Sequence, residues 1–189
     1  MGTHNSNCKI IAIAGPTASG KTTLANLLKK ILGYNKTVVI NQDNYYRDWS
    51  HLTKKKRKKI NFDSLNSFDW KLLLDHLNSL KNGKYILAPQ YDFVLSRRYQ
   101  RTNRTEAKQF IIVEGLMPYF NKKFHNLFNY KIYINTNNAI CLARRIKRDT
   151  KERGDNIESV CRRYFNDVLP MQKRYVEPQK KTADLVIEV

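Results

Sequence analysis

Gly15-Pro16-Thr17-Ala18-Ser19-Gly20-Lys21-Thr22 is the stretch on which the reading of this chain turns. It fits G-x-x-x-x-G-K-[ST] without a mismatch, a pattern in which glycines let successive backbone N–H groups converge on phosphate oxygens. A helix opening directly after the turn adds the positive end of its dipole. Lys21 then reaches the outer phosphates, and the Thr22 hydroxyl joins a Mg²⁺ shell. Gly15, Thr17, Ala18, Ser19, Gly20, Lys21, Thr22 and the adjoining Thr23 are therefore the expected nucleotide-binding residues. The competing reading is a tight strand-to-helix turn in which Lys21 is merely solvated. It requires the full pattern and both of its flanks to coincide by chance. The pattern alone leaves ATP, GTP and other nucleoside triphosphates open.

The flanks meet the demand. Residues 8–14 are short, rich in Ile and uncharged after Lys9, which suits a buried parallel strand. Leu24, Leu27, Leu28, Ile31 and Leu32 recur at helical spacing until Gly33 supplies a stop. Residues 37–40 read as a second buried strand with polar 41–43 at its carboxyl end, where open α/β sheets bind ligands. Ser67 is placed to cap a helix carrying Leu73, Leu77 and Leu80, with Gly83 just beyond its end. Residues 85–87 and 90–93 suggest a small β excursion, with polar 97–108 as its loop or hairpin tip. Residues 109–113 and 131–135 are further buried strands. Thr136 or Asn137 is expected to cap a long helix, another helix runs from Ile157 toward Val168 and stops before Pro170, and residues 185–189 form a last strand. Strands alternating with helices predict an α/β fold, a parallel sheet covered on both faces.

At 189 residues, with 41% hydrophobic composition, the chain can bury one substantial core, and a single domain over 1–189 is expected, preceded by a disordered leader at 1–7. Thirty-five Lys and Arg against sixteen Asp and Glu give a formal charge of +19, which attracts polyanions of any kind without choosing among them. The three cysteines, Cys8, Cys141 and Cys161, are unpaired by spacing, which fits a reducing, cytoplasmic setting rather than a zinc or disulfide framework. No run of 18 apolar residues occurs, so neither a membrane span nor a secretion signal is expected. Gly2 and Ser6 formally match a short acylation pattern, for which an ordinary leader is the simpler account. His4, His51, His76 and His125 are scattered, and none is given a ligand role.

Three acids fall where strand ends should meet a bound nucleotide: Asp43, Asp63 and Glu114. Phosphoryl transfer to an alcohol needs a carboxylate that orients the hydroxyl and takes its proton, and another that holds metal-bound water. Asp43 is the candidate base and Glu114 the candidate metal group beside Thr22. An Asx turn or helix cap is the competing role for Asp43.

Beyond the loop, Gln42-Asp43-Asn44-Tyr45-Tyr46, Asn61-Phe62-Asp63 with Phe68-Asp69, Pro89-Gln90-Tyr91-Asp92-Phe93, Val113-Glu114-Gly115, Arg144-Arg145-Ile146-Lys147-Arg148-Asp149 with Glu152-Arg153-Gly154, and Glu177-Pro178 through Ala183-Asp184 follow one another in order. In these landmarks, from Ile10 to Ile187, the chain resembles the uridine kinases, or uridine-cytidine kinases. The resemblance implies a P-loop α/β kinase with a helical lid that moves the γ-phosphate of ATP, with Mg²⁺, to the 5′-hydroxyl of uridine or cytidine in pyrimidine salvage. It further implies Asp43 as the base, Asp63 as a ribose-hydroxyl contact and Tyr91 as a contact to the nucleobase. Arg145, Arg148 and Arg153 resemble the arginines of the lid and phosphate site, the competing account of each being a solvated helix face. A homo-oligomer is also implied.

Three positions depart from the family pattern, all expected on the acceptor side: Ser96 stands where His is usual, Asp155 where Arg is usual, and Ser64-Leu65 where His-Pro is usual. They put the choice of pyrimidine in question while leaving phosphate transfer intact. The nearest alternative is thus the same fold acting on another nucleoside or a small metabolite. An inactive relative is opposed by intact Lys21, Thr22, Asp43 and Glu114. The basic run from Thr53 to Lys59 raises a second class, a nucleic-acid binder, although such runs are usually solvated loops and no recognised nucleic-acid motif accompanies it.

Overall fold

A computed structural model describes residues 8–57 and 59–189. The expected leader, with Gly2, His4 and Ser6, lies outside the described residues, as does Lys58 of the basic run.

Nine strands are described: β1 (Lys9–Ala14), β2 (Thr37–Asn41), β3 (Ile86–Ala88), β4 (Tyr91–Asp92), β5 (Arg97–Arg98), β6 (Asn103–Thr105), β7 (Phe110–Glu114), β8 (Tyr130–Asn135) and β9 (Leu185–Glu188). The helices are α1 (Lys21–Leu32), α2 (Lys54–Arg57), α3 (Trp70–Lys81), α4 (Lys122–His125), α5 (Asn138–Arg153), α6 (Ile157–Arg163) and α7 (Leu169–Met171). Five strands form one parallel sheet in the order β2-β7-β1-β8-β9. β1 is central, so the phosphate-loop pattern leaves the middle of the sheet at its carboxyl edge. Registers pair Ile13 with Glu114, and Asn41 with the same Glu114, bringing the strand ends before residues 15, 42 and 115 together.

Side chains alternate across β1, as the pleat requires. Ile13 packs with Ala25, Ile112, Ile132 and Ile134 beneath α1, whose Leu24, Leu28 and Leu32 cover that face. Ile10, Ala12 and Ala14 face the other way, into a cluster with Ile111, Val113, Tyr133 and the fully buried Leu73, Leu77 and Leu80 of α3. Each of those leucines contributes about 1.5–3 kcal/mol relative to exposure.

Three expectations are corrected. Asp69, not Ser67, caps α3, its Oδ1 accepting from Leu72 N at 3.1 Å, while Ser67 ends a 3₁₀ turn and donates its hydroxyl to Asn61 O at 2.5 Å. The 97–108 span is not all loop: β5 pairs antiparallel with β4, and β6 with β3, making two small ribbons. Helix also continues through Pro170, because it lies between wider π turns, Tyr164–Val168 and Gln172–Val176. Such turns relieve the ladder that a proline would otherwise break. The long helix α5 is capped by Asn137, whose Oδ1 accepts from Ala139 N at 2.8 Å.

Candidate active site

The loop between β1 and α1 depends on backbone geometry that few residues adopt. Gly15 has φ of +150°, and a Cβ there would meet Ile134 O at 2.6 Å. Gly20 lies at φ +106° and Ala18 at +55°. No side chain caps α1, so the N–H groups of its first turn are left for a ligand, as a bound phosphate requires. Thr136 Oγ1 donates to Ser19 O at 3.1 Å and braces the loop from β8, a support that the sequence reading did not identify. Lys21 is buried and donates its Nζ to Pro16 O at 2.6 Å. Burial pushes its ammonium below the ordinary lysine value, against the opposing pull of Glu114 and Asp43.

Thr22 Oγ1 donates to Glu114 Oε1 at 3.1 Å, joining the first turn of α1 to the last residue of β7. Burial raises the Glu114 carboxyl, Lys21 opposes that shift, and Asp43 adds to it. A hydroxyl and a carboxylate at the carboxyl edge of the sheet can together hold a magnesium ion through its water shell. His51, His76 and His125 take no part, and among the described residues no cluster of His, Cys, Asp and Glu forms an all-protein metal cage.

Asp43 sits in the 3₁₀ turn Gln42–Tyr45 directly after β2. The Asx cap there is made by Asn41, whose Oδ1 accepts from Asp43 N at 2.7 Å. The competing structural role therefore falls to the neighbour, and Asp43 Oδ1 is left buried without a partner. Gln42 fixes the turn from below: its Oε1 accepts from Met117 N at 3.0 Å, over Gly115. Asp63, also buried, lies 4.0 Å from Arg145 Nη1. Burial raises its carboxyl, with Arg145 acting in the opposite direction.

Tyr91 enters from β4 and stands edge-on to Tyr46, Phe62 and Phe93. Its hydroxyl is buried without a partner. The ribbon carrying it is pinned at Arg98, which pairs with Tyr91 in register and donates Nη2 to Asp69 Oδ2 at 3.3 Å. An open cleft of about 1230 Å³ runs from the loop past Asp43 to these rings.

The arginines divide as the helical turn dictates. Lys147 turns to solvent and Arg144 is exposed at the cleft rim, whereas Arg145, Arg148 and Arg153 turn inward to the cleft and share the fully buried Asp149, a residue that the sequence reading left without a role. Arg148 Nε donates to Asp149 Oδ1 at 2.9 Å, and Arg153 Nε lies 3.4 Å from the same oxygen. Arg145 Nε lies 3.2 Å from Oδ2, at an angle unsuited to a hydrogen bond, and its Nη1 donates to Thr17 Oγ1 at 3.1 Å. The i, i+4, i+8 spacing of Arg145, Asp149 and Arg153 was the available signal. Apart from Gly15, which packs against Ile134 at the base of the loop, the sequence-predicted site residues all line one cleft.

The model of the Phosphoribulokinase / Uridine kinase family matches residues 10–189. The chain belongs to this family. It is 42% identical over 177 residues to a uridine kinase of Clostridium perfringens, covering 94% of this chain and 85% of that one. It is 42% identical over 181 residues to a uridine kinase of Staphylococcus haemolyticus, covering 96% and 87%. The fold matches that of a phosphoribulokinase from Rhodobacter spheroides with a TM-score of 0.70, at 16% identity, over 96% of this chain and 70% of the other.

Within a phosphoribulokinase/uridine kinase scaffold the three departures separate. Ser96, at φ +52°, and Asp155 line the cleft. Asp155 accepts from Arg163 Nη2 at 2.5 Å, so its reversed charge is neutralised locally. Ser64-Leu65, expected on the acceptor side, is instead structural: Leu65 O accepts from Trp70 Nε1 at 2.8 Å, and neither residue lines the cleft. Part of the basic run is absorbed as well. Lys54 and Arg57 line the cleft rim, where Arg57 donates to Leu52 O and, at 3.0 Å, to Leu95 O. Among the described residues no helix is long and apolar enough to cross a membrane.

Proposed function

We infer that this protein transfers the γ-phosphate of ATP to the 5′-hydroxyl of a pyrimidine nucleoside, uridine or cytidine, as one catalytic unit with Mg²⁺. The observation that carries the reading is the buried, unpartnered Asp43 Oδ1, at the seam between the phosphate loop and an aromatic-walled pocket. The names of its relatives at 42% identity support the choice of acceptor class.

In this reading Lys21 neutralises the outer phosphates, and Thr22 with Glu114 holds the metal ion's water shell. Asp63 receives a ribose hydroxyl, and Tyr91, with Phe62 and Phe93 around it, flanks the base. Asp43 takes the proton of the acceptor hydroxyl as that oxygen bonds to phosphorus and the β,γ-bridging oxygen departs with ADP. Arg148 and Arg153 offset the charge spread over the equatorial oxygens of the phosphoryl group. The three free cysteines fit a cytoplasmic setting.

The test is ADP release by the purified protein with Mg·ATP against uridine, cytidine, purine nucleosides, pantothenate and a no-acceptor control. Turnover with uridine or cytidine well above the control is the expected result. Turnover only with another acceptor would replace the pyrimidine assignment and point to Ser96 and Asp155 as the residues that reshaped the pocket.

A further inference from the structure

Asp149 is the one acid of α5 that solvent does not reach, and its surroundings are unusual for a carboxylate that touches neither the phosphate loop nor the acceptor pocket. Three guanidinium groups lie on it, at 2.9, 3.2 and 3.4 Å, from Arg148, Arg145 and Arg153. Two of them are also tied elsewhere. Arg145 reaches Thr17 of the phosphate loop and approaches Asp63 of the acceptor side. The Arg153 guanidinium stacks over Phe93, 4.9 Å from the ring centroid, at the tip of the β4–β5 ribbon. One buried carboxylate therefore sits where the phosphate loop, the acceptor wall and α5 converge.

Three cations packed this closely repel one another, and without a shared anion they would splay into solvent. Arg148 and Arg153 keep part of their surface in the cleft, with side chains 32% and 23% exposed, so they can meet a further anion without leaving Asp149. A guanidinium has five donors in a fixed fork, enough for both partners at once.

We propose that Asp149 is the positioning residue of the phosphoryl site: it holds Arg145, Arg148 and Arg153 as one preorganised cluster aimed at the terminal phosphate of the nucleotide. This rests on reading the cleft as a phosphoryl-transfer site and not on which acceptor it takes. A purely structural ion pair would affect stability alone. A positioning role shows in discrimination between nucleotides, because the cluster serves the terminal phosphate alone, whereas the loop holds the inner phosphates as well.

The deciding measurement is the ratio of ATP to ADP affinity, by titration calorimetry with Mg²⁺ and without acceptor, for the wild type and for Asp149→Asn, an isosteric change that removes the charge. The preference of the wild type for ATP should fall about fivefold to tenfold in the variant, with ADP affinity held within about twofold. An unchanged ratio in folded Asp149→Asn overturns the proposal. If that variant fails to fold, Asp149→Asn/Arg145→Met, in which one buried charge of each sign is removed, is compared with Arg145→Met alone. A further loss of ATP preference supports the role, and none overturns it. Because no acceptor is present, failure of the pyrimidine assignment leaves this result intact.

Discussion

The Thr22 hydroxyl donates to the Glu114 carboxylate at 3.1 Å, so the first turn of α1 and the end of β7 are already joined where a magnesium ion would sit. The charge at this spot resides on Glu114, whose carboxyl burial raises and Lys21 restrains. Glu114→Gln keeps the shape and the hydrogen bond to Thr22 and removes the charge. We expect the Mg²⁺ concentration for half-maximal activity to rise about tenfold with melting temperature nearly unchanged. Initial rates across free Mg²⁺ at fixed ATP check this, and an unaltered magnesium dependence would remove Glu114 from the metal shell.

Lys21 is held against the loop by Pro16 O at 2.6 Å, with a buried ammonium that desolvation disfavours. Its stabilisation is recovered only when phosphate oxygens meet it. Lys21→Ala should therefore cost little stability while turnover falls by about a thousandfold or more. ADP release per folded molecule is the measurement, and near-normal turnover would reject this reading of the loop.

Asp43 differs in kind, because the role proposed for its unpartnered oxygen is toward the acceptor and not the nucleotide. Asp43→Asn preserves the turn capped by Asn41 and abolishes the proton acceptor. ATP affinity should stay within about twofold, and kcat should drop by about a hundredfold or more. A modest loss of kcat in single-turnover assays would take Asp43 out of the base role.

The phosphate loop was legible because its chemistry needs eight contiguous residues between a buried strand and a helix. Asp43, Asp63 and Glu114 were legible because strand ends in a parallel sheet converge. The Tyr91 ribbon was only half visible. Arg97, Arg98, Asn103 and Thr105 are polar, and their pairing partners lie up to nineteen positions away, so composition suggests a loop where registry makes strands. Pro170 misled for a related reason, since a π turn leaves no simple spacing to read. Asp149 was hidden among basic residues, where an acid four places from an arginine ordinarily marks a solvated pair. What composition could not supply in each case was tertiary context: which face of a helix, or which edge of a hairpin, turns inward.

Gly115 offers a prediction from that context. A Cβ there would lie 2.8 Å from Gln42 Cδ and closer still to Cβ and Oε1 of the same side chain. Gly115→Ala must therefore push Gln42 out, release Met117 N and shift the adjoining Asp43. The expected cost is about 1–3 kcal/mol of stability. The predicted signature is a kcat loss of about tenfold or more with ATP affinity nearly kept, since the phosphate loop is untouched. Thermal melts with parallel kinetics and ATP titration check it. A loss of ATP binding would show instead that the strain spreads through β7 to the loop.

Asp149 makes stability depend on acid in a defined direction. Burial would raise its carboxyl, but Arg153, Arg148 and Arg145 together outweigh that and hold it below the ordinary aspartate value of 3.8. The folded state therefore binds this proton less readily than the unfolded chain does. Its stabilisation is fully present above the ordinary value and is lost as pH falls through the lower folded one. Asp63 and Glu114 run the other way: burial raises both, so each is less unfavourable to the fold once protonated. The Asp149→Asn variant isolates the first effect from the other two, because it keeps both of them. Between about pH 4 and pH 2 the melting temperature of the wild type should fall faster than that of Asp149→Asn, and the gap between them should narrow. Parallel melting curves over that interval would mean that the arginines do not depress Asp149.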